Sequence, residues 1–149
     1  MKRAELEALG QSLRRINPQL LRKDSSNTTR IWYQGGEPYF DLFVDLRGEE
    51  ITWFQVTLRG HYLCWRCQGA GWQTGRTNEF QMENPAGYPA SKLVDLDEQL
   101  DQEFVQWVQT LLATRTDDPL LNRLAAFCQQ ACWQASKGLP TAPSRDSRD

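Results

Sequence analysis

The side chains of this sequence that could do chemistry are four cysteines, one histidine and a scattering of carboxylates. Cys64 and Cys67 stand in the run Cys64-Trp-Arg-Cys67-Gln-Gly-Ala-Gly71. Two thiols separated by two residues, with glycines behind them, are how a metal knuckle is built. The glycines let backbone amides turn toward the sulfurs. A closed tetrahedral zinc site takes four ligands, and Cys128 and Cys132 would complete the set from a helix. Two features weigh against zinc. Cys64 and Cys67 fall in a predicted strand and point to opposite faces unless a bulge intervenes. Cys128 falls on an apolar helical stripe, and cysteine is among the most buried residues of ordinary cores. A redox pair would want its first thiol at a helix N-terminus, and a strand does not supply one.

The run Cys64–Gly71 resembles one repeat of the cysteine-rich zinc region of the forty-kilodalton heat-shock chaperones. The resemblance covers eight residues, and the other repeats of that region are missing. It implies zinc on Cys64 and Cys67 and keeps a zinc-stabilised domain on Cys64, Cys67, Cys128 and Cys132 as an alternative reading. The run Ala70-Gly-Trp-Gln-Thr-Gly-Arg-Thr77 has the look of a phosphate loop. It has Ala for the first glycine and Arg for the lysine, and no helix follows to offer its amides. The single histidine, His61, sits at a hairpin turn, on the opposite side of a regular strand from Cys64. Asp41 and Asp45 share a strand face, but the strand rise separates them by about 13 Å, too far for a paired-carboxylate site. No catalytic constellation results, so a non-enzymatic protein without a cofactor is expected.

The elements that must position these groups centre on Tyr39–Cys67, where three β-rich runs are broken at Arg47-Gly48 and Arg59-Gly60. This is an antiparallel meander. Alternation puts Phe40, Leu42, Val44 and Leu46 on one face with Phe54, Val56 and Leu58. With Gly60-His61 as the turn, Leu58 would face Leu63, Val56 would face Trp65 and Phe54 would face Cys67. The opposite face carries Tyr39, Phe43, Trp53 and Tyr62 among Asp41, Asp45, Gln55, Thr57 and Arg66. Aromatic patches with a polar surround mark contact sites. The candidate binding residues are therefore Tyr39, Phe43, Trp53, Tyr62 and Arg66. The competing reading is that these rings are core beneath a second layer of helices.

Around the meander, Leu6, Leu9, Leu13, Ile16 and Leu20 predict an amphipathic N-terminal helix ending near Pro18. Seven basic residues between Lys2 and Arg30 face Glu5, Glu7 and Asp24, which reads as a solvated basic surface. A short strand Arg30–Gln34 precedes a turn at Gly35-Gly36-Glu37-Pro38, and Trp72–Phe80 forms a further edge strand. A second helix begins near Asp95 or Asp101 and carries the stripe Leu100, Phe104, Trp107, Val108, Leu111. Asp117-Asp118-Pro119 opens a third, with Leu120, Leu124, Phe127, Cys128 and Ala131 on its apolar side.

With 149 residues, 40% of them hydrophobic, and a net charge of −2, the chain fits one globular domain. Balanced charge argues against a general nucleic-acid binder, and no apolar run approaches an export signal or a membrane span. The expectation is α+β: a single domain over 1–135 with a disordered tail over 136–149. It has an N-terminal helix, a four- to five-stranded antiparallel meander and two C-terminal helices packed on the sheet. The expected role is a cytoplasmic, bacterial-type protein-interaction module (adaptor, chaperone-like or immunity-type) that takes a protein partner through its aromatic sheet face. A small-ligand carrier, with a pocket between sheet and helices lined by Trp53, Trp65 and Trp107, is the other alternative.

Overall fold

Alternating side chains and tight turns fold the middle of this chain into one continuous antiparallel ladder. In the computed structural model, the described residues are 1–16, 28–69, 71–77 and 94–136, with backbone alone for 94 and 132–136. Helix α1 (Arg3–Ser12) leads into β1 (Arg14–Arg15), β2 (Thr28–Gln34), β3 (Asp41–Arg47), β4 (Glu50–Leu58), β5 (His61–Arg66), β6 (Trp72–Thr77) and β7 (Val94–Leu96). Helices α2 (Gln102–Ala113) and α3 (Pro119–Ser136) follow. The seven strands pair in sequence order, each antiparallel to the next. The fold is α+β, as the sequence predicts, with two more strands than the upper expectation. Both extra strands are too short to show alternation, β1 with two residues and β7 with three.

One face of the sheet packs against all three helices. Leu42, Val44, Phe54, Val56, Leu58 and Leu63 are buried there with Leu6, Leu9, Phe104, Val108, Leu111, Leu121 and Leu124. Gly10 brings α1 against α2, because a Cβ on it would strike the Leu111 carbonyl. Arg115 seals the end of α1 by donating from Nη1 to the carbonyls of Gly10 and Leu13. The predicted helix through Ile16 therefore stops at Ser12. Leu13 turns extended, at φ −66° and ψ 130°, and Ile16 N–H donates to the Trp32 carbonyl instead.

Of the two predicted starts for α2, Asp101 is the cap: its carboxylate accepts the Phe104 N–H at 3.1 Å, while Asp95 lies in β7. Asp118 caps α3 through the Leu120 and Leu121 amides, with Pro119 at the first helical position. The same carboxylate accepts the Tyr33 hydroxyl at 2.8 Å and ties α3 to β2.

The β4–β5 turn falls at Arg59-Gly60, both at positive φ (52° and 82°), the two-residue turn whose twist matches its strands. Leu58 thus faces His61, Val56 faces Leu63 and Phe54 faces Trp65. The expected register was off by two residues. An even shift leaves every side chain on its predicted face.

In β4 the register slips between Asp45 and Leu46, so that Thr52 is an extra, unpaired residue beside Trp53. This bulge returns Ile51 to the core, where simple alternation from Trp53 would have turned it outward. No helix among the described residues is long and apolar enough to cross a membrane. The expected tail beyond Ser136, and residues 78–80 of the expected edge strand, lie outside the described residues.

Candidate functional site

The second face of the sheet carries no described helix, and its side chains line up in cross-strand rows. One row runs Arg30, Asp45, Trp53, Arg66 over β2 to β5. The next runs Trp32, Phe43, Gln55, Cys64, Gln73, and the third Gln34, Asp41, Thr57, Tyr62, Gly75. Between the first two rows lies an open trough of about 400 Å³, lined by Arg30, Phe43, Asp45, Trp53, Gln55 and Arg66.

The trough is held by specific contacts. Arg30 grips Asp45 with two hydrogen bonds of 2.7 and 3.0 Å and lays its guanidinium over the Trp53 ring, 4.8 Å from the centroid. Trp32 stacks on Phe43 at 5.7 Å, almost parallel, and donates its indole N–H to Asp41 at 2.9 Å. Trp53 is half-buried, and its Nε1 lies buried with no acceptor. Arg66 is exposed at the end of β5, and among the described residues no carboxylate lies within ion-pair distance of it.

Three of the five predicted contact residues, Phe43, Trp53 and Arg66, come together in this trough. The other two do not. Tyr39 sits in the β2–β3 turn at φ 61°, ahead of the strand it was expected to open, and is 47% exposed. Tyr62 is on the predicted face but only 8% exposed, beside buried Thr57 and Cys64. Burial, with a hydrogen bond to Cys64, raises its hydroxyl pKa. Tyr62 is therefore not a surface contact. The alternation of β2 already offered Arg30 and Trp32 to the same face, but a short strand read in isolation gave no sign that they meet Asp45, Trp53 and Phe43.

The chemistry considered for the other residues is dispersed. Cys64 is buried on the trough side of the sheet, whereas Cys128 is buried in the helix-side core, so the sheet lies between them. Cys67 is exposed beyond β5, and the Cys132 side chain is outside the described residues. Among the described residues no cluster of three metal-ligating side chains forms.

His61 stacks on Phe104 at 4.9 Å, on the helix side. Its Nδ1 is 3.8 Å from the Asp101 carboxylate, too far for a hydrogen bond. Burial, and then nearby Arg76, hold its pKa below the ordinary value. Asp41 and Asp45 are each engaged by their own donor, Trp32 and Arg30. The Trp72–Thr77 stretch is strand β6 rather than a phosphate loop.

The three tryptophans of the expected ligand pocket also separate. Trp53 lines the trough, and Trp65 packs against Phe54 and Phe127. Trp107 lines a separate cleft of about 260 Å³ with Met1, Glu5, Leu58, Arg59 and His61. Comparison of the chain with protein-family models, curated protein sequences and solved structures finds no match.

Proposed function

We propose that this protein is a non-enzymatic protein-interaction module, adaptor-like, chaperone-like or immunity-type, whose contact surface is the trough around Trp53. One observation carries the reading. A half-buried tryptophan lies under the Arg30 guanidinium and pairs across the strands with exposed Arg66, in an open depression on a sheet face with no described helix over it. Tryptophan and arginine are the side chains that dominate binding hot spots, because they displace much water at low entropic cost. Gln55 and the Arg30–Asp45 pair supply the polar surround that gives such a patch orientation.

The dispersal of His61, Cys64, Asp41 and Asp45 supports a binding role over a hydrolytic one. A carrier role has less support, because among the described residues Trp53 and Trp107 line separate depressions and Trp65 packs against Phe54 and Phe127.

The test is comparative capture from native lysate on immobilised parent protein and on Trp53→Ala. The reading expects a protein retained by the parent and lost from the variant, with the variant's circular dichroism unchanged. Identical captures on both would exclude the trough as the contact surface.

A further inference from the structure

We infer that the trough receives an extended acidic segment of a protein partner. In it, an Asp or Glu carboxylate meets Arg66, and an apolar side chain next to it lies against Trp53 and Phe43. This rests on the interaction reading above and adds the chemistry of what is bound. Charge carries it. The lining holds two guanidinium groups and one carboxylate. Asp45 is already gripped on both oxygens by Arg30, so the trough keeps one positive charge in excess, at Arg66. An arginine fork is the protein group best shaped to hold a carboxylate by two parallel hydrogen bonds.

The spacing suits a peptide. Arg66 and Trp53 are direct cross-strand partners, which places their side chains about 5 Å apart at the root. Phe43 lies on the diagonal across β3 and β4, since Trp53 pairs with Asp45 and Gln55 with Phe43. Diagonal neighbours are about 7–8 Å apart. Same-face side chains of an extended segment repeat at about 7 Å. A carboxylate on Arg66 with an apolar residue two positions along thus reaches the indole, and a second apolar residue two further along reaches Phe43.

A nucleic-acid strand fits less well. Single-strand binders track the backbone with a positively charged groove. This trough offers one surplus guanidinium beside a carboxylate, on a chain of net charge −2.

The experiment pans a phage-displayed library of random linear peptides on the intact protein, on Arg66→Glu and on Trp53→Ala. Each variant is first shown to melt cooperatively. The inference expects peptides from the parent to be enriched in Asp or Glu flanking a large apolar residue. It expects Arg66→Glu to select Lys or Arg at the same place. A synthetic acidic peptide from the parent selection should bind Arg66→Glu about tenfold or more weakly. If Arg66→Glu does not fold, Arg66→Gln serves, with the acidic preference expected to vanish.

Parent peptides that depend on Trp53 but show no acidic preference would overturn this inference and leave the interaction reading standing. Peptides indifferent to Trp53→Ala, or none at all, would overturn both. Displacement of the acidic peptide by oligouridine at lower concentration than by the peptide itself would also overturn the inference, in favour of nucleic acid.

Discussion

The Arg30 guanidinium lies 4.8 Å above the centre of the Trp53 ring while holding both oxygens of Asp45. One side chain therefore fixes the central indole of the trough and neutralises its only carboxylate. Because Arg30 is 49% exposed, solvent screens both interactions. Arg30→Ala should cost stability by only about 1 kcal/mol or less, yet weaken partner binding by freeing Trp53 to reorient. Urea melts and binding isotherms on this variant check the split. A loss of stability larger than that of a core truncation would show that Arg30 is a structural strut.

Tyr33 joins β2 to the start of α3. It is 1% exposed, its hydroxyl donates to Asp118 at 2.8 Å, and it accepts from Arg15 at 2.9 Å. Burial, chiefly, pushes its pKa up to about 12, and the Asp118 carboxylate adds to the rise. The folded state thus binds this proton more tightly than the unfolded chain. The stabilisation is complete below about pH 10 and is lost as pH rises toward 12. Tyr33→Phe should destabilise by about 1–3 kcal/mol at neutral pH, since the Asp118 carboxylate loses a buried donor. Thermal melts of the two proteins measure this, and equal midpoints would contradict the assigned role.

What the sequence disclosed was the faces. Period-two alternation placed Phe43, Trp53 and Arg66 opposite the core correctly, even though the β4–β5 register was misplaced by two residues. It could not disclose the Thr52 bulge, which flips Ile51, because an extra unpaired residue leaves no mark in composition. Nor could it disclose Tyr39 at positive φ, a conformation usually left to glycine or asparagine. Tyr62 and Cys64 obey alternation yet are buried, and which part of an outward face is covered is a tertiary property. Strands β1 and β7 escaped because two and three residues carry no period.

His61, the one histidine, gives a clean pH probe. Burial first, and Arg76 second, depress its pKa below the ordinary 6.5. The unfolded chain therefore takes up this proton more readily than the folded one. Its contribution to stability is intact above pH 6.5 and is lost as pH falls from there through the folded value. Glu5 and Asp117, whose pKa values are lowered by Arg59 and Arg115, act at lower pH, below their usual 4.5 and 3.8. A proton-NMR titration of the His61 ring should give a midpoint under 6.5, and His61→Gln should flatten the stability profile just below pH 6.5. A midpoint above 6.5 would mean that Asp101, not burial, governs the ring.

Arg59 occupies the first central position of the β4–β5 turn at φ 52°, tied to Glu37 and Glu5 on the surface. Holding a long side chain in the left-handed region costs about 1–2 kcal/mol. Exposed ion pairs, screened by water, recover less. Arg59→Asn, which suits the turn with Gly60, should therefore raise stability by about 0.5 kcal/mol. A fall of more than 1 kcal/mol in denaturant unfolding would show that the Glu37 and Glu5 contacts outweigh the strain.

Trp53 and Phe54 are neighbours in the chain that face opposite sides of the sheet, one half-buried in the trough and the other fully buried in the core. The most direct test measures melting and partner binding on Trp53→Ala, with Phe54→Ala as the internal control. Phe54→Ala should lose about 3–5 kcal/mol of stability through the cavity it leaves. Trp53→Ala should keep its thermal midpoint close to that of the parent and lose about 2 kcal/mol or more of binding free energy. A Trp53→Ala protein that melts like the parent and binds its partner just as tightly would contradict the account.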